Sequence, residues 1–174
     1  NRFGVTPGRR VAVLTNNDDG LRTAQDLEAK GIDVAAVIDV RTGAGVRDTF
    51  GRKRLTRLAL NDGTRIAADC LAVSGGWSPN VQLSCHQRGR PVWRDAVAGF
   101  VPGTDLPPGM VVCGAANGVL TLARTLADGA RAACTVAEDL GKPVRADLPR
   151  ATDEPAETAP IFVLPQGKAR AWVD

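Results

Sequence analysis

Residues 10–39 read Arg10-Val-Ala-Val-Leu-Thr15, Asn16-Asn17-Asp18-Asp19-Gly20, Leu21-Arg-Thr-Ala-Gln-Asp-Leu-Glu-Ala-Lys30, Gly31-Ile-Asp-Val-Ala-Ala-Val-Ile-Asp39. The first block is a short β-branched apolar run, the pattern of a strand buried on both faces. Asp18 or Asp19 can cap a helix by accepting hydrogen bonds from its unpaired amides. From Gly20 to Lys30 the spacing of Leu21, Ala24 and Leu27 is helical, and Gly31 suits a left-handed stop. A second strand follows from Asp33 to Ile38. Strand, helix and strand in about 30 residues make a βαβ unit, right-handed by default. The fold class expected is α/β, a Rossmann-like βαβ insert.

Working outward, residues 41–53 contain Gly43, Gly45 and Gly51 and read as a loop. Runs 55–60 and 64–68 flank Asn61-Asp62-Gly63, a hairpin signal in which both turn positions are expected at positive φ. Asp69-Cys-Leu-Ala-Val-Ser74 reads as a buried return strand ending at Gly75-Gly76. Beyond it, Val81–Gln87 suits a short helix, Pro91–Phe100 loop or short strands, and Met110–Cys113 a buried strand. Asn117 then caps a long helix whose apolar positions are Leu122, Ala123, Leu126, Ala130, Ala133, Cys134, Ala137 and Leu140. Gly141-Lys142-Pro143 stops it. The partition expected is a linker at 1–8, a degenerate dinucleotide-binding-like domain at 9–74, a returning scaffold at 75–142, and a Pro-rich linker with the start of a next element at 143–174.

Composition narrows function. The 174 residues carry 22 basic and 19 acidic side chains, a net charge of +3. That balance disfavours a dedicated nucleic-acid or polybasic membrane surface. Aromatic residues are 4% with no Tyr, too few for a base-stacking platform. The clusters Arg52, Lys53, Arg54, Arg57 and Arg88, Arg90, Arg94 read as solvated faces, one of them suited to a partner subunit. No apolar run approaches the ~20 residues of a membrane span. Cys70, Cys85, Cys113 and Cys134 include no C-x-x-C pair, so neither a zinc signature nor a dense disulfide framework is expected, and a reduced cytoplasmic setting is the simplest reading. The sole histidine, His86, sits beside Cys85, but adjacent helical residues point about 100° apart, so proximity in sequence makes no dyad. No catalytic and no metal-binding residue is expected. The chain starts at Asn1 without a visible signal peptide and reads as a piece of something longer.

The turn after the first strand offers a first cofactor candidate. A dinucleotide site wants G-x-G-x-x-G there. Here Thr15 and Asn17 stand at the two phosphate-approach positions, Asn16 lies between them, and Gly20 keeps the third, which serves helix–strand packing. Asp18 and Asp19 add negative charge where a pyrophosphate would sit. Asp39, 19 residues after Gly20, is close to the usual offset of a ribose-binding acid. A surface pair with Arg41 is the competing reading. A second candidate lies on two returning loops, Gly75, Gly76 and Trp77, and Gly114, Ala115, Ala116 and Asn117. There small residues admit a nucleotide, and a helix N-terminus would favour phosphate. Tight packing of a helix under a sheet explains the second set equally well.

The Asp-Gly hairpin, the strand from Asp69, the stretch Cys70-Leu-Ala-Val-Ser-Gly-Gly-Trp-Ser-Pro-Asn80 and the later Cys113-Gly-Ala-Ala-Asn-Gly118 resemble the nucleotide domain and the return to the flavin domain in glutathione-reductase and thioredoxin-reductase type flavoproteins. In those proteins a Gly-Asp pair ends the returning strand, and its Asp holds the flavin ribityl chain. Here the pair is Gly114-Ala115. With Arg10-Val-Ala-Val-Leu-Thr-Asn-Asn-Asp18 and Lys168-Ala-Arg-Ala-Trp-Val-Asp174, the pattern is most similar to an internal part of the alpha subunit of heterotetrameric, bacterial-type sarcosine oxidases. The resemblance implies an oxidative demethylase of sarcosine that yields hydrogen peroxide and formaldehyde or methylene-tetrahydrofolate. It implies NAD in the complete alpha subunit, FAD and FMN on the beta subunit, and beta, gamma and delta subunits as partners beside the remaining parts of the alpha subunit. An NADH-dependent disulfide-reductase relative and a non-enzymatic Rossmann-like scaffold are the alternatives.

Overall fold

Strand β1 (Arg10–Thr15) is buried from Val11 onward because both of its faces are covered. The computed structural model describes residues 5–86, 88–148, 150–153 and 159, and they fall into two units, Asn1–Gly76 with Glu157–Asp174, and Trp77–Ala156. In the first unit β1 is the middle strand of a parallel sheet, with β2 (Asp33–Asp39) on one side and β6 (Cys70–Ser74) on the other. Side chains alternate across a strand. Val11 and Val13 therefore meet Ala24 and Leu27 of helix α1 (Asp18–Ala29). Ala12 and Leu14 meet Ile38, Leu58 and Ala68 on the opposite side. Ile38 is on β2, whereas Leu58 belongs to, and Ala68 directly follows, an antiparallel meander of β3 (Val46–Phe50), β4 (Arg57–Leu60) and β5 (Arg65–Ala67), which lies against the parallel sheet. Two covered faces explain why the β1 sequence is continuously apolar rather than alternating.

Several expectations need correction here. The cap of α1 is Asn17, whose side chain accepts from Gly20 N–H; Asp18 and Asp19 are its first helical residues, where their charge suits the helix dipole. The stretch 41–53 is not all loop. After a 3-10 turn at Val40–Thr42, residues 46–50 form β3, which pairs with β4. In the 61–63 turn only Gly63 takes positive φ (88°), and Leu60 N–H reaches Thr64 O across it. Gly31 does close α1 with φ 75°, its N–H on Glu28 O and Ile32 N–H on Leu27 O.

In the second unit, α2 (Gln82–Cys85) is a single turn. The hairpin of β7 (Val92–Arg94) and β8 (Gly99–Val101) sets Trp93 edge-on to Phe100 at 5.3 Å. Met110–Cys113, expected as a strand, is irregular. Asn117 does not cap the long helix. Gly114–Asn117 is a 3-10 turn ended by Gly118 at φ 73°, and α3 (Leu122–Asp139) starts after Thr121. Its N-terminus is held by Asp153, which accepts from Thr121 Oγ1 (2.8 Å) and Ala123 N–H (2.6 Å). Among the described residues only Ala132 of α3 is buried, while Leu122 and Leu140 are exposed. The segments 1–8 and 143–174 fall partly, and the 168–174 motif wholly, outside the described residues.

Gly20 marks the closest approach of α1 to the sheet. A Cβ there would overlap Thr15 Oγ1 and Cβ and touch Ser74 Cβ. Neither neighbour is a flexible side-chain end, so the Gly20→Ala chain is expected to lose about 1–3 kcal/mol in urea unfolding.

Candidate functional site

The carboxyl ends of β1 and β6 are where an open α/β sheet gathers its ligand. In this protein they are stitched to each other. Asn16 N–H donates to Ser74 O (3.3 Å), Asn16 Nδ2 to Gly75 O (3.1 Å) and Asn17 Nδ2 to Ser74 O (3.0 Å). Ser74 Oγ donates to Asn17 Oδ1 at 3.1 Å, the same oxygen that caps Gly20. Asn17 N–H donates to Thr15 Oγ1 (3.1 Å), which in turn donates to Asn17 O (2.8 Å). The amides of residues 16, 17 and 20 belong to the turn that would face a pyrophosphate. All three have protein acceptors already. Thr15, Asn16 and Asn17 are buried and fill the space that glycines would leave open.

Asp39 lies at the end of β2, and its carboxylate is held by Arg41. Arg41 Nε donates to both of its oxygens (3.0 and 3.1 Å), Arg41 Nη2 to Oδ2 (2.8 Å), and the Arg41 main-chain N–H to Oδ1 (3.0 Å). Arg41 Nη1 also reaches Asp18 Oδ1 at 2.8 Å. The side chains are 17–24% exposed, so one guanidinium bridges the start of α1 and the end of β2 in a partly dry setting. Sequence reasoning had the Asp39–Arg41 pair but not Asp18; two acids flanking the βαβ unit with one arginine after it are the readable signal. The Arg41 side-chain hydrogen bonds hold Asp39 below the usual carboxylate range, against a smaller upward push from burial. Arg41 is raised in turn, first by Asp39 and then by Asp18.

At the second candidate, Gly75, Gly76 and Trp77 form an exposed loop at the division between the units, with Gly76 at φ 88°. The turn Gly114–Asn117 lies in the second unit. Its leading amide is occupied: Gly114 N–H donates to Asp128 Oδ2 at 2.8 Å, and Asn117 Nδ2 approaches the same oxygen at 3.5 Å. Arg94 Nη1 donates to Asn117 O at 2.9 Å. Asp128 on α3 was not foreseen, since nothing local to Gly114 announces a carboxylate fourteen residues on. The Arg131 hydrogen bond is the main cause holding Asp128 low, ahead of Gly114 N–H. Ala115 is exposed and Ala116 half-buried.

No catalytic constellation appears among the described residues. His86 is exposed, all four cysteines are free thiols, and no group of three metal-ligating side chains converges. Burial, then the neighbouring Asp69, pushes the Cys70 thiol up, the reverse of what a nucleophilic thiolate needs. Asp69 itself accepts from Arg9 and Arg10 N–H and so fixes the start of β1. No helix of the described residues is long and apolar enough to cross a membrane. An open apolar groove of about 880 Å³ in the second unit is lined by Pro107, Met110, Cys113, Ala133, Val136 and Leu140 among others, with no charged side chain.

No protein-family model matches the chain. The chain is homologous over its whole length to the sarcosine oxidase subunit alpha of Rhizobium meliloti (strain 1021), 37% identical over 198 aligned positions that make up 20% of that protein. The same subunit of two Corynebacterium strains, U-96 and P-1, is 33% and 32% identical over 95% of the chain and again 20% of each relative. The chain thus spans about a fifth of the length of the relatives it matches. Among solved structures, L-proline dehydrogenase from P. horikoshii superposes with a TM-score of 0.70 over 83% of this chain and 29% of that one, at 22% identity. That likeness carries the fold, an α/β arrangement with a parallel sheet.

Asp39 titration gives the first test of the ion cluster. A carboxyl depressed in the folded state stabilises above its unfolded pKa, and that contribution disappears as pH falls through the folded pKa. Arg41→Met should therefore be less stable than the parent at pH 7, and the gap should close on acidification below the ordinary carboxylate range. Carbon-detected NMR should show the Asp39 midpoint rising in the variant.

Proposed function

We propose that the chain is a non-catalytic part of an oxidative demethylase of the sarcosine oxidase type, supporting cofactor binding and architecture rather than the chemical step. The observation that carries this reading is homology along the entire chain to one fifth of sarcosine oxidase alpha subunits. In this reading residues 9–74 are a relic nucleotide-domain insert and 75–142 the returning scaffold. The whole protein oxidises sarcosine to hydrogen peroxide and formaldehyde, or passes the one-carbon unit to tetrahydrofolate. It holds NAD in the complete alpha subunit and FAD and FMN on a beta subunit, with gamma and delta subunits completing the assembly in the cytoplasm.

Within that assembly the insert acts as scaffold, because the amides of Asn16, Asn17 and Gly20 are engaged by Ser74, Thr15 and Asn17. Contact with NAD falls instead to the turn Gly114–Asn117 of the second unit, with the loop Gly75–Trp77 as a separate candidate. Gly114 N–H is engaged by Asp128, so Ala115 and the backbone of Ala116 are the part of that turn left to face a nucleotide. NAD bound there supplies a hydride acceptor or a rigid structural spacer. The uncharged groove on α3 packs against the remaining parts of the same subunit, which bring the other four-fifths of the length. A wholly non-enzymatic scaffold is the second reading, favoured by the same stitched turn.

The test uses the complete alpha subunit. Ala115→Glu puts a carboxylate where a phosphate would lie and should weaken NAD binding by about tenfold or more, roughly 1.4 kcal/mol. Ala67→Glu on the exposed edge strand β5 should leave it unchanged. Equal NAD affinity in the two variants removes Gly114–Asn117 from the site, and no NAD binding in the parent favours the scaffold.

A further inference from the structure

We infer that the carboxyl edge of β1 is a seat for a peptide unit, that Asn16 is the residue that reads it, and that the chain's own Ala159 is its occupant. Ala159 N–H donates to Asn16 O at 2.9 Å, and Asn16 Nδ2 donates back to Ala159 O at 2.6 Å. One asparagine thus offers an acceptor from its main chain and a donor from its side chain, which match the N–H and C=O of a single residue. The second Nδ2 proton goes to Gly75 O, Asn16 Oδ1 accepts from Asn17 Nδ2 (2.8 Å), and Asn16 N–H goes to Ser74 O. Every polar atom of this buried side chain is therefore bonded to a neutral protein group.

The chemistry around it selects against an anion. Asp18 and Asp39 lie at the start of α1 and the end of β2, where Arg41 bridges them, and they add two carboxylates to this corner. A phosphate would find the amides of Asn16, Asn17 and Gly20 engaged, whereas a neutral peptide group matches the acceptor and the donor that Asn16 presents. The contact involves only main-chain atoms of Ala159, so the seat reads peptide backbone and not a side chain. In a fold whose switch point ordinarily takes a nucleotide, the position has become an intramolecular anchor for Ala159. This holds whether or not Gly114–Asn117 borders a dinucleotide, and its test does not involve that turn.

The measurement is residue-resolved hydrogen exchange on the 174-residue chain. The Ala159 amide should exchange at least about tenfold more slowly than a free-chain amide, the scale of one or two net hydrogen bonds. Asn16→Asp keeps the shape but removes the donor; it should return Ala159 to the free-chain rate while Val13 and Leu14 stay protected. Should that variant lose Val13 protection, Ala159→Pro removes the N–H from the occupant instead, and should expose the Asn16 side-chain amide protons while β1 stays protected. Millimolar ADP should shift neither Asn16 nor Ala159 resonances. Free-chain exchange of Ala159 in the parent, unaltered protection in Asn16→Asp, unaltered Asn16 side-chain exchange in Ala159→Pro, or displacement of Ala159 by ADP would each overturn the inference.

Discussion

Asn16 and Asn17 bind the carboxyl ends of β1 and β6 across the point where the sheet order reverses. The rest of the first unit is arranged around that bond set. Because Asn17 caps α1 and grips Ser74 with the same side chain, the helix start is fixed relative to the sheet. Because the helix is fixed, Gly20 sits against Thr15, and Ala24 falls over Val11 and Val13. The opposite face of β1 is then left for the meander, whose Leu58 closes the larger core cluster. A fully apolar β1 needs both covers, and the asparagines set the position of the first.

Much of this was legible in the chain. The β1 and β2 runs, the Leu21–Ala24–Leu27 spacing and the Gly31 stop carry local periodicity strong enough to survive folding unchanged. The role of Gly20 as a packing glycine was legible too. Strand β3 was hidden because Val46-Arg-Asp-Thr-Phe50 is polar in the middle and bracketed by glycines; it pairs because β4 presents an open edge, a tertiary cause without a local trace. The run Met110–Cys113 misled in the other direction. It is apolar because it lines the α3 groove, not because it joins a sheet. Asn117 looked like a cap, yet Gly118 at φ 73° reverses the chain first, and Val101 and Arg94 crowd that glycine.

At the candidate site the residues were identifiable, but their partners were not. Thr15, Asn16 and Asn17 were recognisable as departures from a glycine pattern. What they do instead depends on Ser74 and Gly75, nearly sixty residues on. Asp128 on Gly114 and Asp153 on the start of α3 are likewise long-range; Asp153 stands in a Pro-rich stretch that composition alone assigns to linker. The Ala159 contact leaves no mark in sequence at all, since it involves only main chain on one side.

The internal saturation of the Thr15–Gly20 turn also bears on how such a domain can change. Thr15→Gly would strip Asn17 N–H of its acceptor, and Asn17→Gly would strip both Gly20 N–H and Ser74 Oγ of theirs. Each single step back toward a glycine turn passes through a buried polar group without a partner, a cost of order 1–3 kcal/mol against a total stability of about 10 kcal/mol. The gain, an open phosphate cradle, arrives only when several steps have been taken together. The network therefore works as a ratchet: once a nucleotide turn has been rewired onto its own asparagines, stability alone keeps it from reverting.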